Sequence, residues 1–401
     1  MENKSYSPSI NKNLDVKSLK TLVEQKINTC GELLKINIGT KKIPNCKNYD
    51  SSHVKKMLLK NLKASKHLNP EYFIAPKQLI ANCWFNTMFV TFFFSDKGRK
   101  FFRFFRELMI KGEKADGEKI QDKKLRELFF VFNLFIEASY NQEQKLKKNL
   151  KKTKNNKHNK HTKHTKHNKH TKHNKHTKHN KDNKNNKTQK KPLFKNESLY
   201  EQIKVLTNNL QTNYFIKVIY ERINHLTFNN IPDVNDAGNP IMYYKAIITF
   251  LNYNILKIME LNIDSKINIY HFLQNKFENY SKIPDILFIN DAESKSHYEL
   301  EYKLKNNITN KTYIYKLDSI ILTNKTYYKP NTNKHFVSVC TINNDGYKFD
   351  GDSYSRLSRF NWKKLLNVNK DWEFVENSNY YAEKYNFTKG YKILFYYRDT
   401  Y

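Results

Sequence analysis

The sequence predicts an α+β fold, in which helices come first along the chain and an antiparallel sheet follows. Residues 125–140 form a helical stretch, and helical patterning resumes after residue 193 and continues to about Asn262. From Ile283 onward, apolar and polar residues alternate as they do in strands. The strands predicted from this alternation are residues 285–289, 298–302, 312–322, 335–341, 347–350 and 391–397. Because the helices precede the strands rather than alternate with them, the pattern indicates the α+β class.

The composition is that of a chain with a packed core. Hydrophobic residues make up 38% of the 401 residues, and 27 Phe and 27 Tyr supply large side chains for burial. This excludes a chain that is disordered throughout. The length allows two domains or one large one, at roughly 100–200 residues per domain.

Two changes in composition divide the chain. Residues 1–68 are rich in Lys and Asn and are interpreted as an N-terminal extension. Residues 146–192 form a low-complexity insert built on Lys-His-Thr and Lys-His-Asn triplets, which hold eight of the fourteen histidines. Such a tract is tolerated in a surface loop, so we predict one domain over residues 69–401 that the insert interrupts.

The insert has two readings, and it dominates the charge of the chain. Residues 145–192 carry 19 Lys and one acid, Asp182, so +18 of the net charge of +34 lies here and +16 elsewhere. The favoured reading is a solvated segment that binds polyanions non-specifically, and the other is a metal-binding histidine repeat. Aromatic residues elsewhere are not interleaved with Arg as in a base-stacking surface, which disfavours direct nucleic-acid recognition.

The four cysteines, Cys30, Cys46, Cys83 and Cys340, are widely spaced. None belongs to a Cys-x-x-Cys pair, so the sequence indicates neither a structural zinc site nor a disulfide framework. The N-terminus lacks the layout of a signal peptide, and no apolar run is long enough to span a bilayer. We therefore expect a soluble, reduced protein of the cytoplasm or nucleus, without a metal or other cofactor.

Cys83 is the first candidate for chemistry, because it follows polar loop residues and opens an apolar run of helical length. A thiol at a helix N-terminus lies at the positive end of the helix dipole, which favours the thiolate. Gln78, five residues upstream, offers an amide that can complete an oxyanion hole with the nucleophile's own backbone N–H. Taken alone, a cysteine in an apolar helix is more often a small core residue.

His335 is the second candidate, at the head of a short alternating strand. That strand runs through an Asn-Asn-Asp-Gly turn at residues 343–346 into a second strand that ends at Asp350. The turn predicts a hairpin in which His335 and Asp350 face each other. A carboxylate there would orient the imidazole and stabilise the imidazolium formed in catalysis. Asp352 is a second carboxylate in the same turn, and alternation decides between Asp350 and Asp352 only if the strand continues past Gly351; the residue that does not face the histidine is interpreted as a turn cap.

The segments around these residues resemble those of the ubiquitin-specific proteases, a papain-like family of cysteine peptidases. Residues 83–87 (Cys-Trp-Phe-Asn-Thr) match the Cys-aromatic-hydrophobe-Asn-small core of the family's Cys-box, and Gln78 stands where the family has its oxyanion-hole Asn. His-Phe-Val at 335–337 and Tyr-Lys-Phe-Asp at 347–350 are similar to the family's His-box. The strands at residues 283–287 and 315–321 also resemble family segments, and the resemblance covers roughly residues 70–110 and 280–365.

The resemblance implies a papain-like peptidase over residues 69–401, with Cys83 in a helical lobe and His335 and Asp350 in an antiparallel sheet lobe. It implies a thiol-dependent deubiquitinase whose partners are conjugates of ubiquitin or a ubiquitin-like protein. Cys83 would be the nucleophile, His335 the base, Asp350 its orienting carboxylate and Gln78 an oxyanion-hole donor. Two alternatives stay open: a papain-like protease that processes viral or other polyproteins, and an inactive protein that binds ubiquitin or nucleic acid.

Overall fold

The structure is a computed structural model, and it describes fourteen stretches of the chain. These are residues 30, 34–39, 43–63, 69–76, 78, 82–140, 212, 215–216, 222–223, 240–292, 296–324, 335–352, 357–374 and 383–399. The predicted insert at residues 146–192 and most of the predicted helical region after residue 193 lie outside the described residues. The mixture of helices and strands predicted from the sequence is confirmed.

Seven α-helices lie in the described part of the chain, six of them before β3, the first strand of the central sheet. They are α1 (Ser52–Lys63), α2 (Cys83–Phe93), α3 (Asp96–Phe101), α4 (Arg103–Lys111), α5 (Lys123–Ser139), α6 (Pro240–Phe250) and α7 (Ile269–Phe277). Short 3-10 turns form at Pro70–Tyr72 and Trp362–Leu365. The helix predicted at residues 125–140 corresponds closely to α5.

The described strands lie mostly in the C-terminal part of the chain. They are β1 (Lys35–Asn37), β2 (Cys46–Asn48), β3 (Ile258–Ile263), β4 (Ile286–Asp291), β5 (Glu301–Asn306), β6 (Lys311–Leu322), β7 (Val337–Ile342), β8 (Asp345–Phe349), β9 (Ser358–Arg359), β10 (Trp372–Glu373), β11 (Lys384–Tyr385) and β12 (Lys392–Arg398). Eight of them form one sheet in the order β3-β4-β12-β6-β7-β8-β9, with β5 paired to β6 beside that path. The β3–β4 pair is parallel, and the other pairs of the sheet are antiparallel.

Both faces of the central sheet are buried. In β12, Ile393 and Phe395 join the core shared with the helices, while Leu394 and Tyr396 join a second core on the opposite face. A strand covered on both sides is apolar along its whole length. The helix α2 packs directly against β6 and β7 on the first face, which brings residue 83 to the sheet.

Two predictions of secondary structure are wrong. The helical region was expected to reach Asn262, but Ile258–Ile263 is the strand β3, whose Met259, Leu261 and Ile263 alternate with more exposed residues. Parallel pairing with β4, 28 residues further along, stabilises this extended conformation, and the apolar/polar alternation of residues 259–263 was the local sign of a strand. The strand predicted at residues 298–302 begins at Glu301 instead, and Tyr298 donates its hydroxyl to Asp291 at 2.7 Å.

The described part of the predicted N-terminal extension is folded. Residues 35–37 and 46–48 form the β1–β2 hairpin, and α1 follows it. Val54 and Leu58 of α1 share an apolar cluster with Ile110 of α4 and Phe130 of α5. This segment is therefore packed onto the helices that surround α2.

The expectation that the chain has no disulfide is wrong at one pair of cysteines. Cys30 and Cys46 are disulfide-bonded, with their Cα atoms 5.7 Å apart and a separation of 16 positions in sequence. Cys46 begins β2, opposite Asn37 of β1, and Cys30 precedes this hairpin. Single cysteines at such a spacing give no motif, so the sequence did not reveal the bond. Among the described residues, Cys83 and Cys340 are not disulfide-bonded.

No helix among the described residues is long and apolar enough to cross a membrane.

Candidate active site

The candidate nucleophile, Cys83, is the first residue of α2. The helix starts here because the carbonyl of Asn82 accepts hydrogen bonds from the backbone N–H groups of Phe85 (3.1 Å) and Asn86 (3.0 Å). Every residue of α2 is buried, as expected for a helix that is apolar all round and enclosed by other elements. Cys83 thus lies at the positive end of a helix fixed in the core, beside the sheet.

The hairpin of β7 and β8 positions the histidine and the aspartate. Its register pairs Ser338 with Phe349, so a strict continuation would place His335 opposite Asp352. The strands end before that point, at Val337 and Phe349, and the side chain of Asp350 reaches His335 diagonally. The distance from His335 Nε2 to Asp350 Oδ1 is 2.7 Å. The contact between His335 and Asp350 therefore forms just beyond the ends of the two strands, and not between residues that are paired in the sheet.

Asp350 is the carboxylate that the structure brings to the histidine. Its side chain is buried, whereas Asp352 is exposed. Asp350 Oδ1 also accepts the backbone N–H of Asp352 at 2.9 Å, which holds the carboxylate in place. Asp352 thus contributes its backbone N–H to the turn, and its side chain is exposed.

The environment of His335 favours its charged form. Burial by itself lowers the pKa of His335, but hydrogen bonds to Asp350 and Cys83, together with the charges of those groups, raise it to about 10. Because Nε2 is bound to Asp350, Nδ1 is the ring nitrogen left for the Cys83 thiol. The arrangement can hold an imidazolium between the sulfur of Cys83 and the carboxylate of Asp350, as nucleophilic catalysis by a cysteine with a histidine base requires.

Gln78 lies beside the turn that follows Asp350. Its backbone N–H donates to the carbonyl of Gly351 at 2.7 Å. A Cβ added at Gly351 would lie 3.3 Å from Gln78 Cβ and 3.4 Å from Asn86 Nδ2, so the glycine permits a close approach of these segments. Gln78 is partly buried, and its Oε1 has no hydrogen-bond partner among the described residues.

The sequence did not predict a series of buried side-chain hydrogen bonds at the start of α2. Asn82 Nδ2 donates to Thr212 Oγ1 at 2.5 Å, and Thr212 Oγ1 donates to Asn86 Oδ1 at 2.7 Å. Thr212 is 130 residues from Asn82 in sequence, so no local pattern signals the contact. A polar residue on each side of Cys83 in an otherwise apolar run was the available hint.

Among the residues that the structure describes, no group of three or more His, Cys, Asp or Glu side chains is arranged to hold a metal ion.

Comparison with known proteins gives structural likeness alone. No protein-family model matches the chain, and no curated protein matches it. The structure is similar to the SAGA deubiquitinating module of Ubp8, Sgf11, Sus1 and Sgf73 bound to ubiquitin aldehyde, with a TM-score of 0.44 and 9% identity over 97% of this chain and 92% of that one. It is similar to the yeast module carrying a variant Sgf73 (TM-score 0.38, 10% identity, 97% and 92% covered) and to a Ubp8 variant of the module bound to monoubiquitin (TM-score 0.38, 11% identity, 97% and 93% covered).

Proposed function

We propose that this chain is a thiol-dependent deubiquitinase. It would hydrolyse the peptide or isopeptide bond that follows the C-terminal Gly of ubiquitin or a ubiquitin-like protein. The observation that carries the proposal is the position of His335. Its Nε2 lies 2.7 Å from Asp350 Oδ1, and its ring is also hydrogen-bonded to the Cys83 thiol. A buried histidine held between a thiol and a carboxylate is the constellation that nucleophilic catalysis by cysteine needs.

The reaction begins with attack of the Cys83 thiolate on the carbonyl carbon of the scissile bond. The backbone N–H of Cys83, at the N-terminus of α2, donates to the developing oxyanion. The side-chain amide of Gln78 supplies the second donor. The tetrahedral intermediate collapses as the His335 imidazolium gives its proton to the leaving amine, which leaves a thioester on Cys83.

Hydrolysis of the thioester reverses the proton transfers. His335, now neutral, accepts a proton from water, and the resulting hydroxide attacks the thioester carbonyl. The same two donors hold the second oxyanion. Collapse of this intermediate expels the Cys83 thiolate, returns the imidazolium and releases a free carboxylate. Asp350 fixes the orientation of the imidazole and stabilises its charge through both halves of the cycle.

The papain-like arrangement of lobes belongs to this proposal. Cys83 lies on a helix of the N-terminal half, and His335 and Asp350 lie at the ends of adjacent antiparallel strands. The contact of α2 with β6 and β7 supports a site formed at the boundary of helices and sheet. Ubiquitin as the substrate is supported by the sequence resemblance around residues 78–87, 335–337 and 347–350.

Hydrolysis of ubiquitin 7-amido-4-methylcoumarin tests the proposal. We expect release of the fluorophore by the natural chain, and loss of release in Cys83→Ser and in His335→Ala. A general fluorogenic peptide without a Gly-Gly end measures the alternative of a polyprotein protease. Cleavage of that peptide with no cleavage of the ubiquitin substrate would favour the alternative, and inactivity on both would favour a binding protein.

A further inference from the structure

Two buried polar atoms beside the candidate site have complementary chemistry and no partner. Gln78 Oε1 is an acceptor without a donor, and Asn86 Nδ2 is a donor without an acceptor, among the residues that the structure describes. Buried polar groups in proteins are nearly always hydrogen-bonded, so each exception needs an explanation. Both residues converge on Gly351, where a Cβ would lie 3.3 Å from Gln78 Cβ and 3.4 Å from Asn86 Nδ2.

The hydroxyl of Thr212 sets which way the Asn86 amide faces. A threonine hydroxyl has one hydrogen, and this one accepts from Asn82 Nδ2 and donates to Asn86 Oδ1. With its oxygen held by Thr212, Asn86 presents its NH₂ group to the turn at Gly351 and to Gln78. The three hydrogen-bonded side chains are buried, with exposed fractions of 2% for Asn82, 0% for Asn86 and 0% for Thr212.

We propose that Asn86, oriented by Thr212, positions the amide of Gln78 for oxyanion binding. When an acyl group occupies the site, Asn86 Nδ2 donates to Gln78 Oε1, which turns Gln78 Nε2 toward the oxygen that becomes negative. This inference rests on the proposed acyl-transfer role of Gln78. Asn86 and Thr212 touch no reacting atom, so they are positioning residues.

Two small reagents separate positioning of the oxyanion hole from damage to the nucleophile. Acylation of Cys83 by p-nitrophenyl acetate passes through a tetrahedral oxyanion, whereas alkylation by iodoacetamide is a direct displacement that forms none. Neither reagent requires recognition of ubiquitin. A natural chain that fails to cleave ubiquitin conjugates would therefore contradict the proposed function and leave this comparison intact.

Thr212→Val removes the hydroxyl while keeping the shape of the side chain. We expect it to slow acylation about tenfold, less than the 10²–10³ typical of deleting an oxyanion donor, and to leave the alkylation rate unchanged. Thr212→Ser should restore acylation because it keeps the hydroxyl. Thr91→Val is the matched control: its hydroxyl is also buried, but it lies on α2 and donates to the carbonyl of Met88 instead of to Asn86.

A double-mutant cycle decides whether Thr212 acts through Gln78. In the Gln78→Ala background, Thr212→Val should have no further effect on acylation. Additive losses, or equal slowing of acylation and alkylation, would overturn the proposal. If Thr212→Val does not fold, as judged by thermal melting, Asn86→Ala takes its place in the cycle.

A crystal structure of the natural chain with a peptide aldehyde bound to Cys83 tests the proposed hydrogen bond directly. We expect Asn86 Nδ2 to lie within hydrogen-bond distance of Gln78 Oε1, and a longer distance would contradict the proposal.

Discussion

Gln78 and Gly351 are joined by a backbone hydrogen bond of 2.7 Å, from the N–H of Gln78 to the carbonyl of Gly351. Gln78 lies in the segment that leads to Cys83, and Gly351 directly follows Asp350. The bond connects the segment before α2 to the turn at the end of β8. A displacement of either segment therefore changes the distance between Gln78, the proposed oxyanion-hole donor, and the Cys83–His335 pair.

Gly351→Ala tests the importance of this close approach. The added methyl group would lie 3.3 Å from Gln78 Cβ and 3.4 Å from Gln78 N, so the Gln78 segment must shift by a few tenths of an ångström. We expect a fall in kcat of roughly tenfold with little change in KM, since small misplacements of catalytic groups are costly. Thermal stability should change little, which differential scanning calorimetry can check. Unchanged kcat would mean that the approach is not needed for catalysis.

Asp350→Asn and Asp352→Asn form a matched pair in one turn. Asp350 is bonded to His335 at 2.7 Å, while the exposed Asp352 provides a backbone N–H. We expect Asp350→Asn to lower kcat at least roughly tenfold to a hundredfold, because it removes the charge that supports the imidazolium. Asp352→Asn should have a much smaller effect. A severe loss in Asp352→Asn with a mild one in Asp350→Asn would reverse these assignments.

The raised pKa of His335 predicts a specific dependence of stability on pH. Hydrogen bonds to Asp350 and Cys83 outweigh the effect of burial and raise this pKa from 6.5 to about 10. The folded state therefore holds the proton more tightly than the unfolded state, and the resulting stabilisation is complete below pH 6.5 and is lost as pH rises toward 10. We expect the free energy of unfolding of the natural chain, relative to His335→Asn, to decline between pH 6.5 and 9.5 in urea titrations. A difference that grows over this range would contradict the ion pair.

The four cysteines should differ sharply in reactivity toward iodoacetamide. Cys30 and Cys46 are bonded to each other. Burial, and then the nearby charge of Asp318, raise the pKa of the Cys340 thiol well above its usual value, and this side chain is fully buried. Without reductant, we expect Cys83 to be modified first at neutral pH, as peptide mass mapping would show. Labelling of Cys340 at the same rate would remove the basis for treating Cys83 as distinct.

Local patterns predicted the elements that carry the site. An apolar run after Cys83 gave α2, and the Asn-Asn-Asp-Gly turn at residues 343–346 gave the hairpin of β7 and β8. In both elements, interactions within about ten residues determine the conformation, so the local sequence is enough to predict it. The catalytic roles assigned to Cys83, His335, Asp350 and Gln78 stay predictions that the experiments above address.

Features that depend on contacts between residues distant in sequence were not predicted. The strand β3 pairs with β4, 28 residues further along, although most of its residues were predicted to lie in a helical region. The bond of Thr212 to Asn82 crosses 130 residues, and the Cys30–Cys46 disulfide joins positions 16 apart in sequence. Periodicity and spacing report local geometry, so tertiary pairings of this kind leave no trace in them.

Reaction with a ubiquitin probe that carries a C-terminal alkyne electrophile tests the central claim most directly. The probe has to be recognised by the chain and captured by an activated thiol in the same event. We predict a single covalent adduct whose modified peptide contains Cys83, absent in Cys83→Ser and strongly slowed in His335→Ala. No adduct on the folded natural chain, or an adduct on Cys340, would contradict the account.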